Sequence, residues 1–343
     1  MIKIALDAFG SDNAPVPEVL GAIAAVESDE GLEIILTGNK SVLGPMLEKY
    51  EKYSAAFPRI SIKHASERIT MEDSPSSVVR NKKDSSLRVA YELVKNREAD
   101  AVISAGNSGA SLATSMFVLK RMEGIDRPAI ATIMPSVGGF TVLIDAGANV
   151  EVRPGHLVQF GIMGSEYASF MKDIKKPKIG ILSNGEEESK GNDLTREAYK
   201  LLKNTDLNFY GYVEGRDIFN GMVDVVVCDG FIGNIVLKSA ESLAETIFKL
   251  LREEVDRSFW SKLGFFMARR SVKKFKKLVD HNEYGGAPLL GVNGAAFIAH
   301  GGASKKAITS AVFIAKHFVE KGIISNISEE IEKNSTKGVF LNY

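Results

Sequence analysis

Short apolar runs alternate along nearly the whole chain with stretches in which apolar residues recur every three or four positions. The runs Ile2–Leu6, Glu33–Leu36, Arg59–Lys63, Ala101–Ser104, Ala129–Met134, Thr141–Ile144, Lys178–Leu182, Asn208–Tyr212, Val223–Val227 and Val292–Ile298 predict strands. Most are apolar throughout, as strands covered on both faces are. Helical periodicity covers Val16–Val26, Val42–Tyr53, Ser85–Lys95, Ser108–Arg121, Leu157–Met171, Asp193–Lys203, Ile235–Val255 and Lys305–Glu320. This alternation predicts an α/β protein in which helices wrap a mostly parallel sheet. The uncharged stretch from Ala101 to Leu119 approaches the length of a membrane span. Its middle, Ser104 to Gly109, is a polar glycine turn that would lose hydrogen bonds in lipid, so a buried strand, a turn and a buried helix are expected instead.

The chain has 343 residues, enough for one large α/β unit or two smaller ones, and we treat 1–343 as one. Lys and Arg (43) balance Asp and Glu (43), which argues against a disordered tail or a globally basic nucleic-acid binder. The single cysteine, Cys228, permits neither an internal disulfide nor a cysteine-cluster zinc site, and points to a reducing, cytoplasmic setting. It ends the apolar run Val225–Val227, which favours a packing role over a nucleophile. The apolar start is stopped by Asp7, too soon for a secretory signal.

Charge is neutral overall but not locally. Between Arg257 and Val279 lie eight basic residues and no acid, which leaves the rest of the chain at −8. Arg269, Arg270, Lys273, Lys274, Lys276 and Lys277 are interleaved with Phe259, Phe265, Phe266, Val272 and Phe275 at helical spacing. The expected element, spanning 252–280, is a basic amphipathic appendage bent or divided at Gly264. Two readings stand for it: a surface that binds anionic lipid or an acidic partner, or a helix whose apolar side is core or dimer interface.

Several predicted strands end in glycine-rich turns that lead into helices, an arrangement that offers backbone N–H groups and a positive dipole end to an anion. The clearest is Ala105-Gly106-Asn107-Ser108-Gly109-Ala110. Ser183–Glu186, Asp229–Asn234 and His300–Ser304 are similar. At the carboxyl ends of strands such turns converge on one crevice. No dinucleotide fingerprint, phosphate-loop motif, nucleophile elbow or His-x-x-x-His spacing is present. The Gly185–Asp193 segment reads either as a solvated loop with a helix cap or as a loop that brings Lys190 to a bound anion. His300 reads as a strand cap or a substrate contact, and Arg80–Ser86 as a charged helix entry or an anion funnel.

Ten ordered blocks resemble the bacterial phosphate acyltransferases: Leu6–Pro15, Arg80–Ser86, Ala105–Ala110, Arg127–Ile130, Asp145–Asn149, Gln159–Gly164, Asn184–Asn192, Val213–Phe219, Val227–Asn234 and Gly285–Gly294. The departures are mild. Phe9 and Ser11 stand where the family has Met and Gly, and Ser108 stands where Thr is usual.

The resemblance implies a three-layer α/β/α fold similar to phosphotransacetylases and isocitrate-dehydrogenase-like proteins, with no cofactor and no metal. It implies a cytoplasmic homodimer that visits the inner membrane surface, takes a fatty acyl group from acyl carrier protein to inorganic phosphate, and supplies a membrane glycerol-3-phosphate acyltransferase. Nucleic acid is not an expected partner. Lys190 and Asn234 are then the expected catalytic pair, with Asp229 orienting them. Gly106, Asn107, Ser108, Gly109, His300 and Ser304 are expected to bind phosphate or substrate. The alternatives are a phosphotransacetylase acting on acyl coenzyme A, a nicotinamide-dependent dehydrogenase of related fold, and a non-catalytic module built on the basic segment.

Overall fold

A computed structural model describes residues 1–51, 57–279 and 285–336. Its strands are β1 (Ile2–Asp7), β2 (Leu32–Gly38), β3 (Ile60–His64), β4 (Ala101–Ser104), β5 (Ala129–Ser136), β6 (Gly139–Ile144), β7 (Lys178–Leu182), β8 (Asn208–Val213), β9 (Val225–Val227), β10 (Ala287–Leu290) and β11 (Ala295–Ile298). They form one sheet in the order β3-β2-β1-β4-β11-β10-β5-β6-β9-β7-β8. Most neighbours pair in parallel; β10 is antiparallel to both β11 and β5, and β5 is antiparallel to β6.

That central antiparallel seam decides where the site forms. β6, β9, β7 and β8 run opposite to β1, β4 and β11, so the carboxyl ends do not share one parallel edge. The register brings them together nevertheless. Ile298 faces Ala287, Leu289 faces Ile130, and Ala131 faces Ile144. The end of β11 and the end of β6 therefore lie within about one residue of the same level, with β10 and β5 between them.

The helices are α1 (Val16–Ser28), α2 (Lys40–Glu51), α3 (Pro75–Asn81), α4 (Ser86–Lys95), α5 (Ser108–Val118), α6 (Pro154–Lys172), α7 (Asp193–Lys203), α8 (Asp217–Asn220), α9 (Gly230–Asp256), α10 (Phe259–Met267), α11 (Arg269–Val279), α12 (Lys305–Glu320) and α13 (Ile323–Thr336). Strand alternation sorts them into layers. Ile4 and Leu6 of β1 belong to one buried cluster with Val19 of α1, Phe160 of α6 and Val312 of α12, while Ala5 belongs to another with Tyr91 of α4 and Val118 of α5. The result is three layers, α/β/α. No helix among the described residues is long and apolar enough to cross a membrane.

Several boundaries differ from expectation. The predicted Val292–Ile298 strand begins at Ala295, because the Asn293-Gly294 turn interrupts it; Val292 instead bridges to Arg121. The Val223–Val227 run becomes strand only from Val225, and the Ser108–Arg121 pattern is helical only to Val118. The last residues of the Val42–Tyr53 pattern lie outside the described residues. Gly264 does not divide the basic segment. It lies inside α10, and the breaks fall at Arg257-Ser258 and at Ala268.

Little of the segment is buried. α9 is 27 residues long, roughly 40 Å, yet its buried residues are confined to Gly230 and Gly233 at its start. α11 folds back so that Phe275 lies 5.9 Å from Phe248 between ring centroids. Leu243, Ile247 and Leu250 of α9 and Phe259, Trp260 and Phe266 of α10 are exposed, and Phe265 is half-buried. Arg269, Arg270, Lys273 and Lys274 are also exposed, with the Arg269 guanidinium stacked 4.6 Å from the Phe266 ring centre. The side chains of Lys276 and Lys277 lie outside the described residues.

A buried acid under β1 yields a test of the core. The Oε1 of Glu18 accepts the Ser11 N–H (3.2 Å), while its Oε2 is buried without a protein partner. Burial pushes this carboxyl above its ordinary value. The folded state therefore binds the proton more tightly than the unfolded chain, and stability falls as pH rises from the unfolded value of 4.5 through the folded one. Glu18→Gln keeps the Oε1 acceptor and removes that loss. We expect its melting temperature to exceed the parent's at pH 8 and the gap to close toward pH 4.5; a pH-independent gap would contradict the assignment.

Candidate active site

Three turns deliver helix starts to the seam. After β4, Gly106 passes so close to Gly10 that a Cβ would lie 3.1 Å from its carbonyl oxygen. Asn107 then caps α5: its Oδ1 accepts the Ala110 N–H (3.0 Å), and its Nδ2 donates to the carbonyls of Thr70 (3.3 Å) and Asp73 (3.1 Å). The amide thus ties the Thr70–Asp73 loop to the helix start. Gly109 leaves room for Pro75, whose Cγ would be 3.0 Å from a Cβ there. Of these four residues Ser108 reaches the cavity wall; the others shape the turn behind it.

The start of α9 is built against the loop after β6. Asp229 caps the helix by accepting the Ile232 N–H (2.9 Å). Asp145 takes five N–H bonds, from the backbones of Ile130, Gly147, Ala148 and Asn149 and from the Asn149 side chain, at 2.7–3.2 Å. Burial nevertheless pushes its carboxyl above the ordinary value. The held loop presents Gly147 at φ 130°, where a Cβ would lie 3.4 Å from that of Asn234. Cys228 packs beneath, its Sγ 3.7 Å from the Asp145 carbonyl, and burial pushes its thiol well up, which removes the thiolate a nucleophile needs.

α12 supplies the third start. Ser304 caps it through the Ala307 N–H (3.3 Å), and the Nδ1 of His300 accepts the Gly302 N–H (3.1 Å).

These elements enclose a cavity of about 330 Å³. Its polar wall carries Ser108, Thr132, Asn234, Lys238, Glu241 and His300; Ile130, Ile133, Leu237, Ile298 and Ala307 are among its apolar residues. Ser108 is the first residue of α5 and Ala307 lies in the first turn of α12, so two helix N-termini adjoin the space. Ser304 itself is exposed just outside the wall.

Lys190 lies elsewhere. It is exposed on the Gly185–Gly191 loop, where its Cγ would be 2.7 Å from a Cβ at Gly185 and its N–H donates to the Glu187 carbonyl (2.9 Å). The hollow there is lined by Ser183, Asn184, Gly191, Asn192 and Ile232, among others, and shares no lining residue with the main cavity. The cation in the main wall is Lys238, one helical turn after Asn234. It lies beyond the glycine-rich turn Asp229–Asn234. Its signal is the i, i+4 spacing that puts both on one helix face. Among the described residues no group of three or more His, Cys, Asp or Glu is placed to hold a metal.

The family model described as "Fatty acid synthesis protein" matches residues 2–326. Phosphate acyltransferases from Geotalea uraniireducens and Geobacter sulfurreducens are each 54% identical to the chain, covering 97% and 98% of it and 95% and 96% of their own lengths. The chain belongs to the phosphate acyltransferase family. Its activity is accordingly acyl transfer involving phosphate, and the dehydrogenase and non-catalytic readings are set aside. Among solved structures, the EutD phosphotransacetylase of Staphylococcus aureus superposes with a TM-score of 0.58 at 16% identity, over 93% of this chain and 94% of that one. A phosphotransacetylase of Streptococcus pyogenes gives 0.57 at 18% identity, over 96% and 94%. They share the fold, as expected for this phosphate acyltransferase.

Proposed function

We propose that this phosphate acyltransferase takes a fatty acyl group from the thioester of acyl carrier protein and gives it to inorganic phosphate. A phosphate oxygen attacks the thioester carbonyl carbon, the C–O bond forms, the C–S bond breaks, and the thiol of the carrier leaves with a proton from phosphate or solvent. The observation that carries the proposal is the meeting of Ser108, Asn234 and His300 on the wall of one cavity. Phosphate is already anionic near neutral pH, so no strong general base is needed. Orienting two reactants and stabilising the developing oxyanion are the larger tasks.

In this reading phosphate lies at the helix starts beside Ser108 and His300. The Asn234 amide donates to the carbonyl oxygen as it becomes negative. Asp229 acts by fixing the first turn of α9, Ser304 by fixing that of α12, and Lys190 contributes charge from the neighbouring loop. The test is a comparison of donors. We expect turnover per unit concentration to be higher with the carrier-protein thioester than with the coenzyme A thioester of the same acyl chain; the reverse order would make the protein a phosphotransacetylase in use as well as in fold.

We propose further that the appendage serves two surfaces. The exposed Leu243, Ile247 and Leu250 stripe suits a second copy of the chain, giving a homodimer. The tip, where Phe259, Trp260 and Phe266 stand beside Arg269 and Arg270, suits the anionic inner face of the membrane, where the product would reach a membrane glycerol-3-phosphate acyltransferase. The same cations suit acidic acyl carrier protein. Neutralising both arginines (Arg269→Gln with Arg270→Gln) should cost about 2 kcal/mol, roughly thirty-fold, in binding to vesicles containing anionic lipid. Co-sedimentation at low salt measures this, and equal binding to neutral vesicles would contradict it.

A further inference from the structure

We propose that Lys238 is the cation that holds phosphate in the main cavity, and that Glu241 tunes phosphate affinity by competing for it. The inference rests on the reading of phosphate as the acyl acceptor and identifies its binding partner.

An anion entering a largely apolar wall needs a countercharge, since desolvating it unpaired is costly. Helix N-termini supply only about half a charge each. Among the described residues that line the cavity, Lys238 is the only lysine or arginine. It follows Asn234 by one turn, about 6 Å along the axis, so the proposed carbonyl donor and the ammonium lie on one helix face that lines the same cavity. The Lys238 Nζ lies 2.8 Å from the Glu241 carboxylate, in an i, i+3 pair whose side chains are 55% and 15% exposed. Such helical pairs are weak, worth only a few tenths of a kcal/mol, so the ammonium transfers readily to a dianion. Glu241, also on the wall, then repels the same phosphate.

This geometry predicts two substitutions with opposite effects, which a structural role at either position would not produce. Lys238→Met should raise the phosphate dissociation constant and the phosphate KM about ten-fold or more, the loss of one charge-assisted hydrogen bond, whereas Lys238→Arg should recover most of the affinity. Glu241→Gln should lower both by about threefold, in the range of a partly exposed charge contact, with kcat changed less than KM. The measurement is calorimetric titration of inorganic phosphate into the full chain, beside steady-state kinetics in the carrier-protein thioester. Opposite shifts in phosphate binding support the assignment whichever acyl donor proves correct. It is overturned if Lys238→Met leaves phosphate affinity within twofold of the parent, if Glu241→Gln weakens binding, or if Lys190→Met alone abolishes it. A parent enzyme that transfers acyl groups normally while all three variants share its phosphate KM would defeat this assignment and leave the proposed function standing.

Discussion

Gly233→Ala is expected to cost about 3 kcal/mol or more of stability and to abolish acyl transfer. A Cβ at this position would lie 1.8 Å from the Asp145 carbonyl oxygen and 3.1 Å from the Cys228 sulfur. Relief by a small backbone shift is blocked on the other side, because five N–H groups hold the Asp145 carboxylate. Neighbouring Gly230 is equally confined, with Asn149 backbone atoms 2.7–2.8 Å from its would-be Cβ. The start of α9 must therefore retreat from the loop after β6, at an overpacking cost of the upper usual size, and Asn234 retreats with it. Gly264→Ala is the matched control: it stands in open space inside α10 and should stabilise by roughly 0.5–1 kcal/mol. Urea unfolding measures both. An unchanged midpoint for Gly233→Ala would contradict the packing described for the site.

Asn234→Ala is expected to leave the fold intact and lower turnover by about 10²–10³. Asn234 is exposed on the second turn of α9, so trimming it should change stability by no more than about 0.5 kcal/mol. The lost amide donates only once negative charge develops on the carbonyl oxygen, so kcat should fall while the phosphate KM stays within about threefold. A variant that loses phosphate affinity and keeps kcat would place Asn234 on the phosphate instead.

The layered α/β character was legible because most strands are short, apolar and separated by helical periodicity. Strand direction was not. The Val137-Gly138 connection, with Gly138 at φ 87°, turns β5 back into β6 as a two-residue hairpin; read as separate strands, the two runs give no hint of the reversal. β10 was missed because Pro288 and the preceding Gly285-Gly286 look like a turn. At the site, glycine-rich turns after strands pointed to Ser108, Asn234 and His300, since those turns owe their composition to close backbone approach. They could not show that Asn107, Asp229 and Ser304 turn their side chains to helix caps. Lys238 was hidden because, in sequence, a lysine three residues before a glutamate is an ordinary solvated helix pair; the fold alone puts that face on the cavity.

The most direct measurement is mass spectrometry of acyl phosphate itself in rapidly quenched reactions of purified protein given acyl-carrier-protein thioester with and without phosphate. Acyl phosphate that forms only when enzyme and phosphate are both present, and that falls at least about a hundredfold in rate with Asn234→Ala, is the predicted result. Thioester consumption without acyl phosphate, or a rate undiminished in the variant, would contradict acyl transfer to phosphate in this cavity.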